Sequence, residues 1–281
     1  MLKRPTLLLL MSLIAFSTNA FQDNSTTLLK KLTGVEAISA SQKIPDRYTQ
    51  PHREIAAKYL LEQLQTFADE ARIVEYSKTG RNVVVEIKAT TDSDEWVILG
   101  AHFDSVRNCP GANDNATGVA AMYDVAIHLA SMNTRKKNVY VVFFDEEEKG
   151  LIGSRNFAKW LKDNRVNVHS AHTIDQMGWD KDGDKGIELE MPDNDLLYHY
   201  EDIAELNDFY APLHTTNVTS TDHTAFRELG YKAIGITEEY KNGDTTPHYH
   251  KSSDTFDTVD LEYLKSTTDY LKKVFEALLT Q

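Results

Sequence analysis

A chain of 281 residues with 30 Lys and Arg against 43 Asp and Glu carries a formal net charge of −13. That balance argues against nucleic acid and against stable association with anionic membranes, and it leaves carboxylates to spare for divalent cations. The length suits one large α/β domain with a substantial core, or at most two small ones, and the lone Cys109 excludes an internal disulfide.

From the N-terminus, Lys3 and Arg4 precede an apolar run from Thr6 to Phe16, and Thr18-Asn19-Ala20 supplies small residues at cleavage positions. This is the pattern of a secretory signal peptide over residues 1–20, cut after Ala20. Losing its two basic residues takes the net charge from −13 to −15. Phe21 rather than a cysteine stands directly after the cleavage position, which argues against a lipid anchor, and no later apolar run is long enough to cross a bilayer. The expected destination is an exported one, periplasmic or extracellular.

Ala57, Leu60, Leu61, Leu64 and Phe67 repeat with helical period, and "RNVVVEI" (81–87) alternates partly, as a half-exposed strand does. "WVILG" (96–100) and "VYVVFF" (139–144) are continuously apolar, as central parallel strands covered on both faces are. Between them Val119, Met122, Tyr123, Ala126 and Ala130 predict a helix that starts near Ala116. "KAIGI" (232–236) is a fourth strand, and Leu264, Leu271, Val274, Phe275 and Leu278 predict a C-terminal helix. The expected fold class is α/β, a mostly parallel central sheet with helices on both faces. Residues 21–281 form a single domain in this reading, with a helical lead-in and edge strands over 21–94 and the site-bearing core over 95–281. "DKDGDKG" (180–186) lacks the glycine and glutamate of a calcium loop at the required offsets and reads as an exposed turn.

In such sheets ligands bind at the carboxyl ends of the strands. "WVILG" runs into Ala101-His102-Phe103-Asp104, and "VYVVFF" into four consecutive acids, Asp145 to Glu148. Crowded anions at the end of a buried strand need either solvent or a nearby cation. His102 and Asp104, two apart on extended chain, share a side, as a metal-binding pair or a hydrogen-bonded surface pair. In "PGANDNATG" (110–118) Asp114 sits near a helix start, as an anion favoured there or as a cap made by Asp114 or Asn115. Asn115-Ala116-Thr117 also fits a glycosylation sequon. "KGLIGS" (149–154) turns into a helix with Ser154 at its N-cap position. Asp175 ends another strand-like stretch, and "PHYHKSSDT" (247–255) offers His248 and His250. His223 reads as a residue behind the site or on its substrate side.

"AHFDS", "PGANDNATG", "DEEEKGLIGS", "IDQMG" and "HYHKSSDT", in this order, resemble the co-catalytic zinc aminopeptidases of the bacterial leucyl aminopeptidase type, a metallopeptidase family that also contains glutaminyl cyclases. The resemblance runs from about residue 95 to 260. It implies the zinc exopeptidase fold and two Zn2+ ions per chain. Asp114 bridges them, His102 and Asp175 complete the ligands of one ion, and Glu148 and His250 complete those of the other. Asp104 orients His102, Glu147 is the general base, and the Asp114–Asn115 peptide is cis. The implied function is a secreted aminopeptidase acting on peptides with a free N-terminus. The alternative on the same ligands is a glutaminyl-peptide cyclase; further rivals are a non-catalytic receptor ectodomain and a carboxypeptidase or dipeptidase. "KGLIGS" directly after the glutamate pair, and Tyr249 rather than tryptophan before the last histidine, favour hydrolysis.

Overall fold

The computed structural model describes residues 24–281 apart from Ser41 and Asp69. The expected signal peptide over 1–20 and its cleavage after Ala20 lie outside the described residues. Helix α1 runs through residues 24–32. It is followed by α2 (Gln50–Leu64), α3 (Gly118–Ser131), α4 (Ile152–Asp163), α5 (Asn194–Leu206), α6 (His223–Arg227) and α7 (Leu261–Thr280). Among the described residues no helix is long and apolar enough to cross a membrane.

One eight-stranded sheet joins β1 (Ala71–Glu75), β2 (Arg81–Ile87), β3 (Glu95–His102), β4 (Asn138–Phe144), β5 (Asn167–Asp175), β6 (Ile187–Glu190), β7 (Leu213–Thr216) and β8 (Ala233–Glu238). Their spatial order is β1-β2-β4-β3-β5-β8-β6-β7. The centre, β4-β3-β5-β8, is parallel, while β1 and β2 add antiparallel pairs at one side and β6 pairs antiparallel with β8. The chain is thus α/β with a mostly parallel sheet, as the alternation of strand and helix predicts.

Alternate residues of each central strand feed opposite layers. Val139, Val141 and Phe143 pack with α2, α3 and α7 in the larger core; Tyr140, Val142 and Phe144 pack with Phe157, Leu161 and Phe226 of α4 and α6. Burial on both faces explains the continuous apolar runs of β3 and β4. Strand β2 corrects the half-exposed expectation. Val83, Val85 and Ile87 face the larger core and Val84 the smaller, while β1 and β4 cover both its edges. Two helix starts also differ. Helix α3 begins at Gly118 after a wide turn over Ala112–Thr117. Ser154 lies inside α4 and donates its Oγ–H to Leu151 O at 3.2 Å instead of capping the helix. The N-cap is Leu151, in a left-handed conformation that serves the sharp turn out of the acidic run.

Candidate metal centre

Parallel register brings the first three groups together. His102 pairs with Phe144 across β3 and β4, and Ala101 pairs with Ile174 across β3 and β5. The strand ends are therefore level, and His102, the acids after Phe144 and Asp175 emerge on one rim. Asp114 comes from the wide turn before α3, whose Asp114–Asn115 peptide is cis. His250 comes from the loop before α7, with a left-handed φ of +56°.

Asp114 is the centre of the arrangement. Its Oδ1 lies 3.3 Å from His102 Nε2, which is 3.4 Å from Asp175 Oδ1. Its Oδ2 lies 3.1 Å from His250 Nε2, which is 3.0 Å from Glu148 Oε2. Two groups of three donors, His102-Asp114-Asp175 and Asp114-Glu148-His250, thus share one carboxylate. Donors bound at zinc distances and tetrahedral angles around one ion stand roughly 3.3–3.6 Å apart, which these separations approach. Both ring nitrogens of buried His102, Asp175 Oδ1 and Glu148 Oε1 make no hydrogen bond in good geometry. Buried polar atoms rarely go without partners, so their chemistry and spacing fit cations at these two points.

The electrostatics agree. Burial opposes a charge on His102, but Glu147, Asp104, Asp114 and Asp175 outweigh it and hold its pKa well above the imidazole range. Bonds from Asp114 and Glu148 push His250 up to about 10. Asp114 is held below the carboxylate range: burial works against this, and the two histidines prevail. Burial raises Glu148 to about 7 and pushes Glu147 well above the usual glutamate value. Glu147 Oε2 sits 3.9 Å from His102 Nε2, beside the clusters and outside both.

Asp104 lies with Oδ1 3.4 Å from His102 Nδ1. The same carboxylate accepts the backbone N–H groups of Glu147 at 3.1 Å and Glu148 at 3.3 Å. It therefore fixes the glutamate pair relative to the histidine, a second task that side-chain spacing does not reveal.

The four acids at 145–148 part company at Glu146, whose φ is +59°, and only the last two face the donor clusters. Expecting the whole run to depend on bound cations is corrected for the first two. Arg53 of α2 places Nε 2.6 Å from Asp145 Oδ1, an ion contact, and donates from Nη2 to Glu146 Oε1 at 2.8 Å. Lys149 donates to Glu146 at 3.1 Å. Burial and Asp104 push Asp145 up to about 7, with Arg53 opposing. Gly153 permits this packing, because a Cβ there would meet Asp145 O at 2.3 Å.

Two further buried groups fix the Asp114 turn. Asp254 accepts the N–H of Asn113 at 2.8 Å and of Asp114 at 3.1 Å. Arg47 donates to the carbonyls of Phe103 at 2.5 Å, Pro110 at 2.5 Å and Gly111 at 2.8 Å, binding the His102 strand end to the turn. The cap role falls to Asn115, whose Oδ1 accepts Gly118 N–H at 3.0 Å. Asn115 is fully buried, so the sequon has no access to solvent. His248 stands apart, with Nδ1 3.0 Å from Ser253 Oγ. His223 is buried beside Thr221 and Glu190, and burial lowers its pKa to about 4. The 180–186 turn gathers Asp180, Asp182 and Asp184 near Asp244 and Glu239, outside the centre.

A mostly parallel sheet that brings one histidine and several carboxylates to a single rim, where a turn adds Asp114 and a loop adds a second histidine, presents the donor set of a metal centre. Residues 82–275 match the model of peptidase family M28, and the chain belongs to that family. Aminopeptidase YwaD of Bacillus subtilis is 26% identical over 212 residues, covering 72% of this chain and 46% of that protein. The chain spans about half the length of the curated relatives it matches. LapA aminopeptidase of Legionella pneumophila superposes with a TM-score of 0.79 at 20% identity, over 100% of this chain and 78% of that one. The glutaminyl cyclase of Bacteroides thetaiotaomicron superposes with a TM-score of 0.74 at 17% identity, over 90% of this chain and 96% of that one. These superpositions show a common fold.

Proposed function

We propose that this chain is an exported zinc-dependent aminopeptidase that hydrolyses the first peptide bond of substrates with a free N-terminus. The observation that carries the reading is Asp114, each of whose oxygens belongs to a separate three-donor cluster. In this assignment His102, Asp114 and Asp175 hold one ion and Asp114, Glu148 and His250 the other. Zinc bound there supplies Lewis acidity and lowers the pKa of water. Glu147 is the base: it takes a proton from the attacking water and returns it to the departing amine. Its burial supports this role, because a carboxyl held above its usual range holds a proton taken from water more firmly than an exposed glutamate does. Asp104 positions His102 and, through two backbone bonds, Glu147 and Glu148. The name of the B. subtilis relative supports an aminopeptidase, and the N-terminal sequence pattern supports export.

The test is a panel of aminoacyl anilides and N-terminal glutaminyl peptides, run before chelation, after it and after zinc is restored. Release of amine from anilides that chelation abolishes and zinc restores is the expected result. Ammonia release from glutaminyl peptides with every anilide untouched would establish the cyclase instead, and activity indifferent to chelation would remove metal from the account.

A further inference from the structure

A cavity of about 290 Å3 adjoins the centre, with Asp114, Glu147, Asp175 and His250 on its wall. Away from these four, it is lined by Gln176, Glu190, Thr221, Thr237 and Tyr240 among others, and Val218 is the one aliphatic residue among the described residues that line it. A purely apolar side chain placed there covers hydroxyls, an amide and carboxylates without satisfying them.

Glu190, the last residue of β6, is 2% exposed. It accepts a hydrogen bond from Thr221 Oγ1 at 2.6 Å, and His223 Nδ1 lies 3.4 Å away, both on Oε2. That oxygen lies over Gly235, where a Cβ would approach it to 2.2 Å, so the glycine makes room for the carboxylate. Among the described residues no donor is bonded to Oε1, and no Lys or Arg pairs with Glu190. The other acid of the lining outside the centre, Glu238, already accepts from Asn113, Gly178 and Trp179. A buried carboxylate with no cationic partner, on the wall of a polar cavity, is a receptor for a cation brought by the ligand.

Resting on the aminopeptidase reading above, we propose that Glu190 is a specificity-determining residue that selects substrates whose first residue is lysine or arginine. The cavity receives that side chain, and Glu190 takes its ammonium or guanidinium.

The test compares kcat/KM for lysyl, arginyl, leucyl and norleucyl anilides, norleucine matching lysine in length without its charge. Wild type is expected to favour lysyl over norleucyl by about 10-fold or more, the scale of a hydrogen bond to a charged group. Glu190→Gln is expected to bring that ratio toward one, with lysyl turnover falling far more than leucyl turnover, because only the lysyl side chain brings a charge for Glu190 to meet. Free L-lysine is expected to raise the Tm of the wild type and leave that of Glu190→Gln unmoved. Norleucyl turned over as fast as lysyl in the wild type overturns the proposal. So does a ratio that survives Glu190→Gln, or an equal fall for every substrate, which would place Glu190 at the α-amine. If no anilide is cleaved at all, the aminopeptidase reading fails first. The L-lysine shift then decides the cavity alone: present in wild type only, it keeps Glu190 as a cation receptor, and absent, it ends that too.

Discussion

Replacing Arg53 with Met removes the cation on which half of the acidic run depends. Arg53 is 1% exposed, contacts Asp145 at 2.6 Å and Glu146 at 2.8 Å, and donates to Tyr48 O at 2.5 Å and Thr79 O at 3.1 Å. Met keeps much of the apolar stem, so the change tests charge more than volume. Removing one partner of a buried ion pair costs about 3–5 kcal/mol, because the other charge stays buried. Against a total stability of about 5–15 kcal/mol, that is a large share. The deficit has a sign in pH. Burial and Asp104 already raise Asp145 from 3.8 to about 7 with Arg53 in place, so its charged form costs stability as pH rises through that value. Without Arg53 the folded-state pKa moves higher still, and the deficit widens from pH 5.5 to pH 8.5, roughly the interval around that titration. Urea unfolding of both proteins at the two pH values measures it. A deficit under about 1 kcal/mol at the higher pH, or one that shrinks as pH rises, refutes the assignment of Arg53 as the counter-charge.

Glu147→Gln should lower kcat by about 10²–10⁴-fold while bound zinc, measured by elemental analysis, stays at the wild-type level. Zinc binding to the metal-free protein at pH 7 should release protons. His102 is held above its ordinary range and His250 is raised to about 10, and both must be neutral to bind metal. Calorimetry in buffers of different ionisation enthalpy reads that release, and a heat independent of buffer would refute it. Asp124 lies buried in α3, and burial raises its pKa from 3.8 to about 6, against the effect of Ser25 and Lys272. Its charge costs nothing below the unfolded value and its full amount above the folded one, so Asp124→Asn should match wild type at pH 4 and exceed it by on the order of 2–3 kcal/mol at pH 7.

The long elements were legible because their burial is written in hydropathy. Continuous apolar runs mark β3 and β4, and the repeat at Ala57, Leu60 and Leu64 marks α2. The short strands were not legible: β6 reads Ile-Glu-Leu-Glu, an alternation typical of a surface strand, yet Glu188 and Glu190 are both buried. The residues expected at the centre are close together because parallel register levels the ends of β3, β4 and β5, a property that strand order supplies and local sequence does not. Arg47, Arg53 and Asp254 escaped notice because each acts on groups far away in the chain; Asp254 accepts from Asn113, 141 residues earlier. One signal was available for Arg53. It falls on the buried stripe of α2 with Ala56, Ala57, Leu60 and Leu64, where a lone charge requires a partner.

Zinc titration of the chelator-stripped protein, followed by native mass spectrometry and by anilide hydrolysis at each step, bears most directly on the shared carboxylate. With Asp114 serving both clusters, the wild type should saturate at two ions, and Asp114→Asn should lose affinity for both together. A wild type that saturates at one ion, or an Asp114→Asn protein that still binds two with undiminished affinity, would contradict the account.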